Sequence, residues 1–137
     1  MKYLFDTDIL SNLLRRAPSP SLLRRMALTP VDDQATSSIT LGELYYGARR
    51  LAGGGDSLVG RIEATLLPNL AVLPFDSPAA RHYGELRAEL EHAGTPIGDA
   101  DMRIAAIARA NDLTVVTNNT RHFERVAGLP VENWLTE

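Results

Sequence analysis

The sequence predicts an α/β fold with a parallel β-sheet. Three short apolar runs have the character of buried strands, at residues 3–5, 70–75 and 113–117, and a shorter strand is predicted at 35–37. Between them, apolar residues recur at helical spacing, and glycine and proline residues mark the boundaries. Strands that alternate with helices pair in parallel through right-handed crossovers, so a sheet of this kind is expected.

Helices dominate the first half of the chain. The first helix begins near Asp8 and is broken by Pro18 and Pro20, because proline interrupts a helix. Further helices are predicted at residues 21–28, 39–51 and 58–67, the last ending at Pro68. The three glycines at 53–55 predict a flexible turn and not a phosphate loop, because no strand precedes them and no Lys-Ser/Thr pair follows.

A helix-start signal follows the strand predicted at 70–75. In Asp76-Ser77-Pro78, Ser77 is predicted as the N-cap and Pro78 as the first helical residue. Gly94 is expected to end that helix. The remaining predicted elements are a helix from Asp99 or Ala100 to Asn111, the strand at 113–117, a short strand at Val131 and a terminus packed by Trp134.

Length and composition limit the classes of protein. The 137 residues are expected to form one domain, spanning 1–137, with 45% hydrophobic and 23% charged residues. No apolar run approaches the roughly 18–20 residues of a membrane span, and no signal peptide is evident. The chain has no cysteine, which excludes disulfides and thiolate catalysis and favours a cytoplasmic location.

The charge pattern is mildly acidic and rich in arginine. A net charge of −3 argues against a protein whose whole surface binds nucleic acid. Lys2 is the only lysine, and several arginines come in pairs, at 15–16, 24–25 and 49–50. These pairs either form solvated helix faces or contact phosphate oxygens, which arginine binds bidentately.

Acidic and amide side chains collect where predicted strands end and the following helices begin. They are Asp6 after the first strand, Glu43 in the helix after the second, Asp99 and Asp101 before the last long strand, and Asn118 and Asn119 after it. Taken singly, each acid is explained as well by a structural role, as a helix cap or a solvent-facing residue, as by a functional one. Several acids meeting at one sheet edge repel one another and require a hard cation, and oxygen ligands favour Mg²⁺ or Mn²⁺.

Four segments, in order and at matching spacing, resemble the PIN-domain ribonucleases of the VapC toxin type. They are LFDTDIL at 4–10, SSITLGELYYGA at 37–48, IGDADMRIAAIA at 97–108 and VVTNNTRHF at 115–123, followed by Gly-Leu at 128–129 and Glu-Asn-Trp at 132–134. The resemblance implies a PIN-like three-layer fold, Mg²⁺-dependent cleavage of RNA, with tRNA as the expected class of substrate, and a small antitoxin protein that silences the enzyme. A homodimer and a toxin–antitoxin hetero-oligomer are expected, with no membrane association.

By the resemblance, Asp6, Glu43 and Asp101 match the metal-binding acids of the family, and Asn119 stands where the family has a fourth acid. The amide adds no charge, which leaves the number of metal ions open. Asp99 is an auxiliary candidate ranked below Asp101, because residues i and i+2 point to different sides of a helix. Asp8 is expected to cap the first helix or to support a ligand.

Several neighbours of these acids have open roles. Thr7 and Thr117 are candidates to donate hydrogen bonds to the carboxylates. Arg103 and Arg121 either meet phosphate or pair with the acids, and His122 is not assigned a catalytic role. Apolar residues on more than one helix face suggest plain core packing, a groove for an antitoxin helix or a dimer interface; they are Leu13, Leu14, Leu22, Leu23 and Tyr46.

Two other functions compete with the ribonuclease. One is a module that binds an antitoxin and regulates its own promoter through the complex, with only weak nuclease activity. The other is a Mg²⁺-dependent phosphatase, because an Asp-x-Asp after a first strand also opens such enzymes. The acids argue against a pure binding module, since nothing in binding requires them.

Overall fold

A five-stranded parallel sheet runs through the molecule. The structure, a computed structural model, describes residues 1–136. The strands are β1 (Tyr3–Phe5), β2 (Gln34–Ser37), β3 (Ala71–Leu73), β4 (Thr114–Val116) and β5 (Val131–Glu132). All four neighbouring pairs are parallel, as the alternation of strands and helices predicts.

Seven helices connect the strands within residues 1–136. They are α1 (Thr7–Leu13), α2 (Pro20–Leu28), α3 (Ser38–Arg49), α4 (Asp56–Arg61), α5 (Ser77–Ala93), α6 (Asp99–Ala110) and α7 (Thr120–Phe123). Shorter turns are the 3-10 turn Val31–Asp33, the π-helical turn Ile62–Leu66 and the 3-10 turn Leu67–Asn69. Across this part of the chain, no helix combines the length and apolar character that crossing a membrane would take.

The strand order is β3-β2-β1-β4-β5, so the chain builds outward from β1 first to one side and then to the other. Leu4 of β1 is in register with Ala35 on one side and Val115 on the other. The winding direction reverses between β1 and β4. The carboxyl ends of these two strands therefore border the crevice in which open parallel sheets bind ligands.

The two faces of the sheet carry separate hydrophobic cores. Alternate side chains of a strand point to opposite faces, so Leu4 packs with α5, α6 and α7, whereas the next residue, Phe5, packs with α1 to α4. Trp134 is 1% exposed and meets the Tyr3 and Phe5 rings edge-on at 4.8 and 5.2 Å between centroids. The predicted packing of the terminus by Trp134 is confirmed, and the three layers place the sheet in the middle.

Most predicted elements are present, and their ends differ for physical reasons. The strands predicted at 70–75 and 113–117 are shorter, because pairing extends only as far as the partners β2 and β1. The helix predicted at 58–67 begins earlier, at Asp56, and becomes a π-helical turn after Arg61. The single-turn helix α7 was not predicted, because four residues carry no recognisable helical period.

The predicted N-cap of α5 is wrong by one residue. The Asp76 side chain, and not that of Ser77, accepts a hydrogen bond from the Ala79 backbone N–H, at 3.1 Å. Asp76 is consequently the cap, and Pro78 falls within the first turn. Both residue types are good caps, so the sequence could not distinguish them. The predicted end at Gly94 is confirmed by its left-handed φ of 71°.

Candidate active site

Asp6 lies directly after β1 at the winding reversal, and its side chain is almost completely buried. Its Oδ1 accepts the Thr7 backbone N–H at 2.7 Å, so Asp6 caps α1. Its Oδ2 accepts a hydrogen bond from the Thr117 hydroxyl at 2.8 Å. Thr117 follows β4 and is fully buried. The hydrogen bond between Thr117 and Asp6 thus joins the two residues that directly follow the strands flanking the crevice.

The electrostatic environment of Asp6 is unfavourable for a lone carboxylate. The pKa of Asp6 is raised from 3.8 to about 7, and burial is the largest cause. Within this net value the Asp8 carboxylate also raises the pKa, the hydrogen bonds from Thr117 and Thr7 lower it, and Asp101 adds the smallest upward contribution. A cation at this position would relieve both the lost hydration and the repulsion between acids.

The Asp8 carboxylate acts directly on the pKa of Asp6, although the sequence assigned Asp8 only a secondary role. The cap role is wrong, because Asp6 caps α1. Asp8 Oδ2 accepts the Asn118 backbone N–H at 3.0 Å, which ties the loop after β4 to α1. Its Oδ1 is buried and meets no hydrogen-bond donor among residues 1–136. Burial is the main cause that raises the pKa of Asp8.

Glu43 reaches the site from α3 and is exposed to solvent. The Thr7 hydroxyl donates a hydrogen bond to Glu43 Oε1, at 2.5 Å. Thr7 and Thr117 therefore both donate to carboxylates, as predicted, and each holds a different acid. Glu43 also borders a cavity of about 400 Å³ between α1, α3 and α4, which Arg15 and Arg16 line as well.

Asp101 and Asn119 meet through His122. Asp101 lies in the first turn of α6, and its Oδ2 is 3.2 Å from His122 Nδ1. The same Nδ1 is 2.8 Å from the side-chain amide of Asn119. The backbone N–H of Asn119 donates a hydrogen bond to Thr117 Oγ1 at 2.9 Å. His122 was not predicted to take part. Its only sequence signal is the spacing of three residues from Asn119, which places both on one side of the unpredicted helix α7.

Asp99 is not brought into this group. Its Oδ1 accepts a hydrogen bond from the Tyr83 hydroxyl at 2.6 Å, and its Oδ2 accepts one from Arg103 Nε at 2.8 Å. These hydrogen bonds lower the pKa of Asp99, with Tyr83 as the larger cause. Arg103 also lies over the Phe75 and Tyr83 rings. Arg103 was predicted either to meet phosphate or to pair with an acid, and in the structure it pairs with an acid.

The remaining arginines divide into paired and unpaired groups. Arg25 pairs with Glu132 at 2.8 Å, and Arg49 pairs with Asp56 at 2.6 Å. Four exposed arginines make no side-chain hydrogen bond or ion pair within residues 1–136; they are Arg15, Arg16, Arg121 and Arg50, of which Arg50 lies over the Tyr46 ring. Arg15 and Arg16 lie beside Glu43, and Arg121 is next to His122 in α7. These cations are available to an anionic ligand.

The acids fit a hydrated cation better than a closed cage. Among residues 1–136, no three Asp, Glu or His side chains lie close enough to share one ion directly. Mg²⁺ keeps several waters and takes only one or two carboxylates, so it does not require such a cage. The unpartnered buried oxygen of Asp8 and the buried carboxylate of Asp6 are the features that a divalent cation would satisfy.

Known proteins are similar to this chain in sequence and in fold. The PIN domain family model matches residues 3–129. The tRNA(fMet)-specific endonuclease VapC of Shigella flexneri is 39% identical over 134 residues, covering 98% of both chains. Ribonuclease VapC of Haemophilus influenzae is 38% identical over 135 residues, covering 98% of this chain and 99% of the relative. The crystal structure of DNA-bound VapBC from Salmonella typhimurium superposes with a TM-score of 0.89 at 37% identity, covering 98% of each chain.

The fold and the site define a class: doubly wound α/β proteins with acids gathered at the winding reversal of a parallel sheet. Within that class the chain belongs to the PIN domain family, and there to the VapC-type toxins. The predicted fold and the family resemblance are both confirmed. The family match extends over almost the whole sheet, from the first residue of β1 to the turn before β5.

Proposed function

We propose that the chain is a divalent-metal-dependent endoribonuclease, the toxin of a toxin–antitoxin pair that acts in the cytoplasm. The observation that carries the proposal is the buried Asp6 carboxylate, which shares the carboxyl edge of the sheet with Asp8 and Asp101 and has no cationic side chain in contact with it within residues 1–136. An enzyme that binds Mg²⁺ or Mn²⁺ has a use for such a site, whereas a pure binding module does not.

Asp6 and Asp101 are the residues proposed to hold the metal directly, and Glu43 completes the site through water or by orienting the attacking water. Asn119 assists as a neutral group. A bound divalent ion supplies charge neutralisation for the phosphodiester and activates water for hydrolysis. The Thr117 hydroxyl holds one oxygen of the Asp6 carboxylate, and the Thr7 hydroxyl holds one oxygen of Glu43.

RNA is the proposed substrate, and tRNA is the proposed class, because the Shigella flexneri relative is a tRNA(fMet)-specific endonuclease. The net charge of −3 means that affinity must come from local cations. Arg15, Arg16 and Arg121 are the proposed phosphate contacts, since they flank the acids and make no ion pair within residues 1–136. Binding that relies on a few such contacts weakens as salt concentration rises.

The test of the activity compares Asp6→Asn with Asp99→Asn. Both changes turn an acid into an amide, but only Asp6 lies at the proposed metal site. We expect Asp6→Asn to reduce Mg²⁺-dependent cleavage of a tRNA pool by more than about 100-fold, since even groups that only support a metal ligand contribute about 10- to 100-fold. Asp99→Asn should cleave at the parent rate. Full activity of Asp6→Asn would contradict the assignment.

A phosphate monoester offered in place of RNA separates the nuclease from the phosphatase alternative. We expect no metal-dependent release of phosphate from the monoester under conditions that cleave RNA. Hydrolysis of the monoester without RNA cleavage would favour the phosphatase. Tight antitoxin binding by a parent protein that cleaves neither substrate would favour the binding module.

An antitoxin protein is the proposed partner, because the Salmonella typhimurium neighbour is a VapBC complex bound to DNA. The proposed docking site is the cavity between α1, α3 and α4. Tyr46, which precedes the lining residue Gly47 in α3, is 66% exposed. Leu22 is fully buried in the core and does not reach this surface, whereas Leu14 is largely buried but lines the cavity. The complex and a homodimer of the free chain are both testable by light scattering after size exclusion.

Two glycine substitutions test the docking site. Gly47 lines the cavity, and a Cβ there meets no atom within 4 Å, so Gly47→Gln fills the groove without disturbing the helix. Gly84→Gln on α5 is the matched control, because its Cβ is equally unobstructed and α5 packs on the opposite face of the sheet. We expect only Gly47→Gln to weaken binding of the product of the neighbouring antitoxin gene. Equal binding by both variants would show that the antitoxin binds at another surface.

A further inference from the structure

His122 connects two of the proposed site residues that lie on different elements. Its Nδ1 is 3.2 Å from Asp101 Oδ2 on α6 and 2.8 Å from the Asn119 side chain at the start of α7. The adjacent Phe123 is fully buried in the core beneath α5 and α6, which anchors the single turn that carries His122. The imidazole is therefore held at a fixed place between the carboxylate and the amide.

Asp101 depends on this one contact. Asp6 receives hydrogen bonds from two donors, the Thr7 N–H and the Thr117 hydroxyl. Asp101, in contrast, receives none from any residue among 1–136 other than His122. Its side chain is 22% exposed, so packing alone does not determine the direction of its oxygens.

The partners of the ring decide which nitrogen carries the proton. An ionised Asp101 offers only lone pairs, so the contact requires a hydrogen on Nδ1. The structure places Asn119 Nδ2 at 2.8 Å from the same Nδ1. A ring nitrogen that donates to Asp101 cannot also accept from this amino group, so the Asn119 amide is turned by half a rotation, and its oxygen then shares the Nδ1 hydrogen with Asp101. In this arrangement the Asn119 oxygen is engaged by His122 and is not free to bind a metal.

We propose that His122 is a positioning residue, which holds Asp101 and the Asn119 amide in place so that the second Asp101 oxygen is presented to the cation. The proposal rests on the proposed function, because it assigns Asp101 to the metal. It also explains how an amide can occupy the fourth acidic position: Asn119 acts on Asp101 through His122 and contributes no ligand of its own.

Three substitutions at His122 distinguish positioning from simple packing. His122→Asn retains an N–H donor the same number of bonds from Cα as Nδ1. His122→Gln moves that donor one bond further, and His122→Ala removes it. His92→Ala is the control, because His92 is exposed in the last turn of α5. The full-length protein is stripped of metal, and its Mn²⁺ affinity is measured from the electron paramagnetic resonance signal of free Mn²⁺.

We expect His122→Ala and His122→Gln to weaken Mn²⁺ binding by about 10- to 100-fold, as other supporting groups around metal ligands do. His122→Asn should bind Mn²⁺ nearly as tightly as the parent, and His92→Ala should equal the parent. In RNA cleavage, kcat should fall in His122→Ala while KM changes little. Thermal unfolding without metal should be similar in all variants, because His122 is 40% exposed.

Parent-like Mn²⁺ binding by His122→Ala would overturn the proposal, and so would equal weakening in His122→Asn and His122→Ala. If His122→Ala does not fold, the comparison of His122→Asn with His122→Gln decides by itself. A parent protein that binds no Mn²⁺ would instead overturn the proposed function, and this inference with it. The two failures are therefore distinguishable.

Discussion

At the scale of single residues, the Asp6 side chain serves both the fold and the site. It caps α1 and accepts a hydrogen bond from Thr117, yet it is buried next to Asp8. The two hydrogen bonds offset only part of the cost of burying a charge, and the raised pKa of Asp6 reports the remainder. A carboxylate buried in such a position destabilises the metal-free protein at high pH.

Metal-free Asp6→Asn is expected to be more stable than the parent at pH 8 and nearly equal to it at pH 4. The folded pKa of Asp6 is about 7, above its ordinary value of 3.8, so folding favours the protonated form. The free-energy cost of burying the charged carboxylate is absent below pH 4. It grows as the pH rises from 3.8 to about 7 and is complete above pH 7. A difference of this size corresponds to about 4 kcal/mol. Urea unfolding in EDTA at both pH values measures it.

Asparagine is suited to this test because it keeps the other contacts of Asp6. Its side-chain oxygen can cap α1 as well as aspartate does. Asp99→Asn serves as the control, since Asp99 is exposed and hydrogen bonds lower its pKa. It should show no gain in stability at pH 8. A pH-independent difference between Asp6→Asn and the parent would contradict the electrostatic explanation.

At the scale of elements, the start of α5 shows how side chains determine boundaries. We expect Asp76→Ala to lower the free energy of unfolding by about 1 kcal/mol, the usual cost of losing an N-cap. The physical reason is the loss of the hydrogen bond from the Ala79 N–H to Asp76. Ser77→Ala should cost much less. Chemical denaturation measures both losses. A larger loss in Ser77→Ala would support Ser77 as the N-cap, as the sequence predicted.

The turn between α3 and α4 depends on one glycine more than on its neighbours. Gly55 and Gly53 both have positive φ, but a Cβ on Gly55 would lie 2.0 Å from the Ala48 carbonyl oxygen, whereas Gly53 faces open space. We expect Gly53→Ala to cost about 1–2 kcal/mol for its backbone conformation. Gly55→Ala should cost about 1–3 kcal/mol more, because the clash forces the helices apart. Equal losses in denaturation would contradict this contact.

The elements themselves were largely predictable, and their ends were not. The glycine turn and the strand at 3–5 follow from local residue types and are present as expected. The ends of β3 and β4 depend on how far a partner strand extends, which is not a local property. Helix α7 and the π-helical turn Ile62–Leu66 carry no periodic signal that the sequence could have revealed.

At the scale of the whole molecule, the order of the strands assembles the site. β1 and β4 are separated by more than 100 residues in the chain but lie side by side, which brings Thr117 to Asp6. Metal binding at this edge should therefore stabilise the whole fold, because a site made of distant segments does not exist in the unfolded chain.

Adding Mn²⁺ to the metal-free protein is expected to raise Tm in the parent and in Asp99→Asn, and not in Asp6→Asn. Free Mn²⁺ at about 100 times its Kd contributes about 2.7 kcal/mol, which corresponds to roughly 5–10 °C for a chain of this size. Scanning calorimetry with and without Mn²⁺ measures the shift. An equal rise in Asp6→Asn would place the stabilising metal away from Asp6.

The sequence by itself determined the alternation of strands and helices, the family and the approximate positions of the acids, because these depend on residue types at local spacing. Only the tertiary structure decided which polar side chains meet. Asp99 and Asp101 are two residues apart, yet Asp99 turns to Tyr83 and Arg103 while Asp101 turns to His122. The reason is physical: a side chain's partner depends on which elements pack beside it, and the packing of α5, α6 and α7 is established only when the sheet orders them.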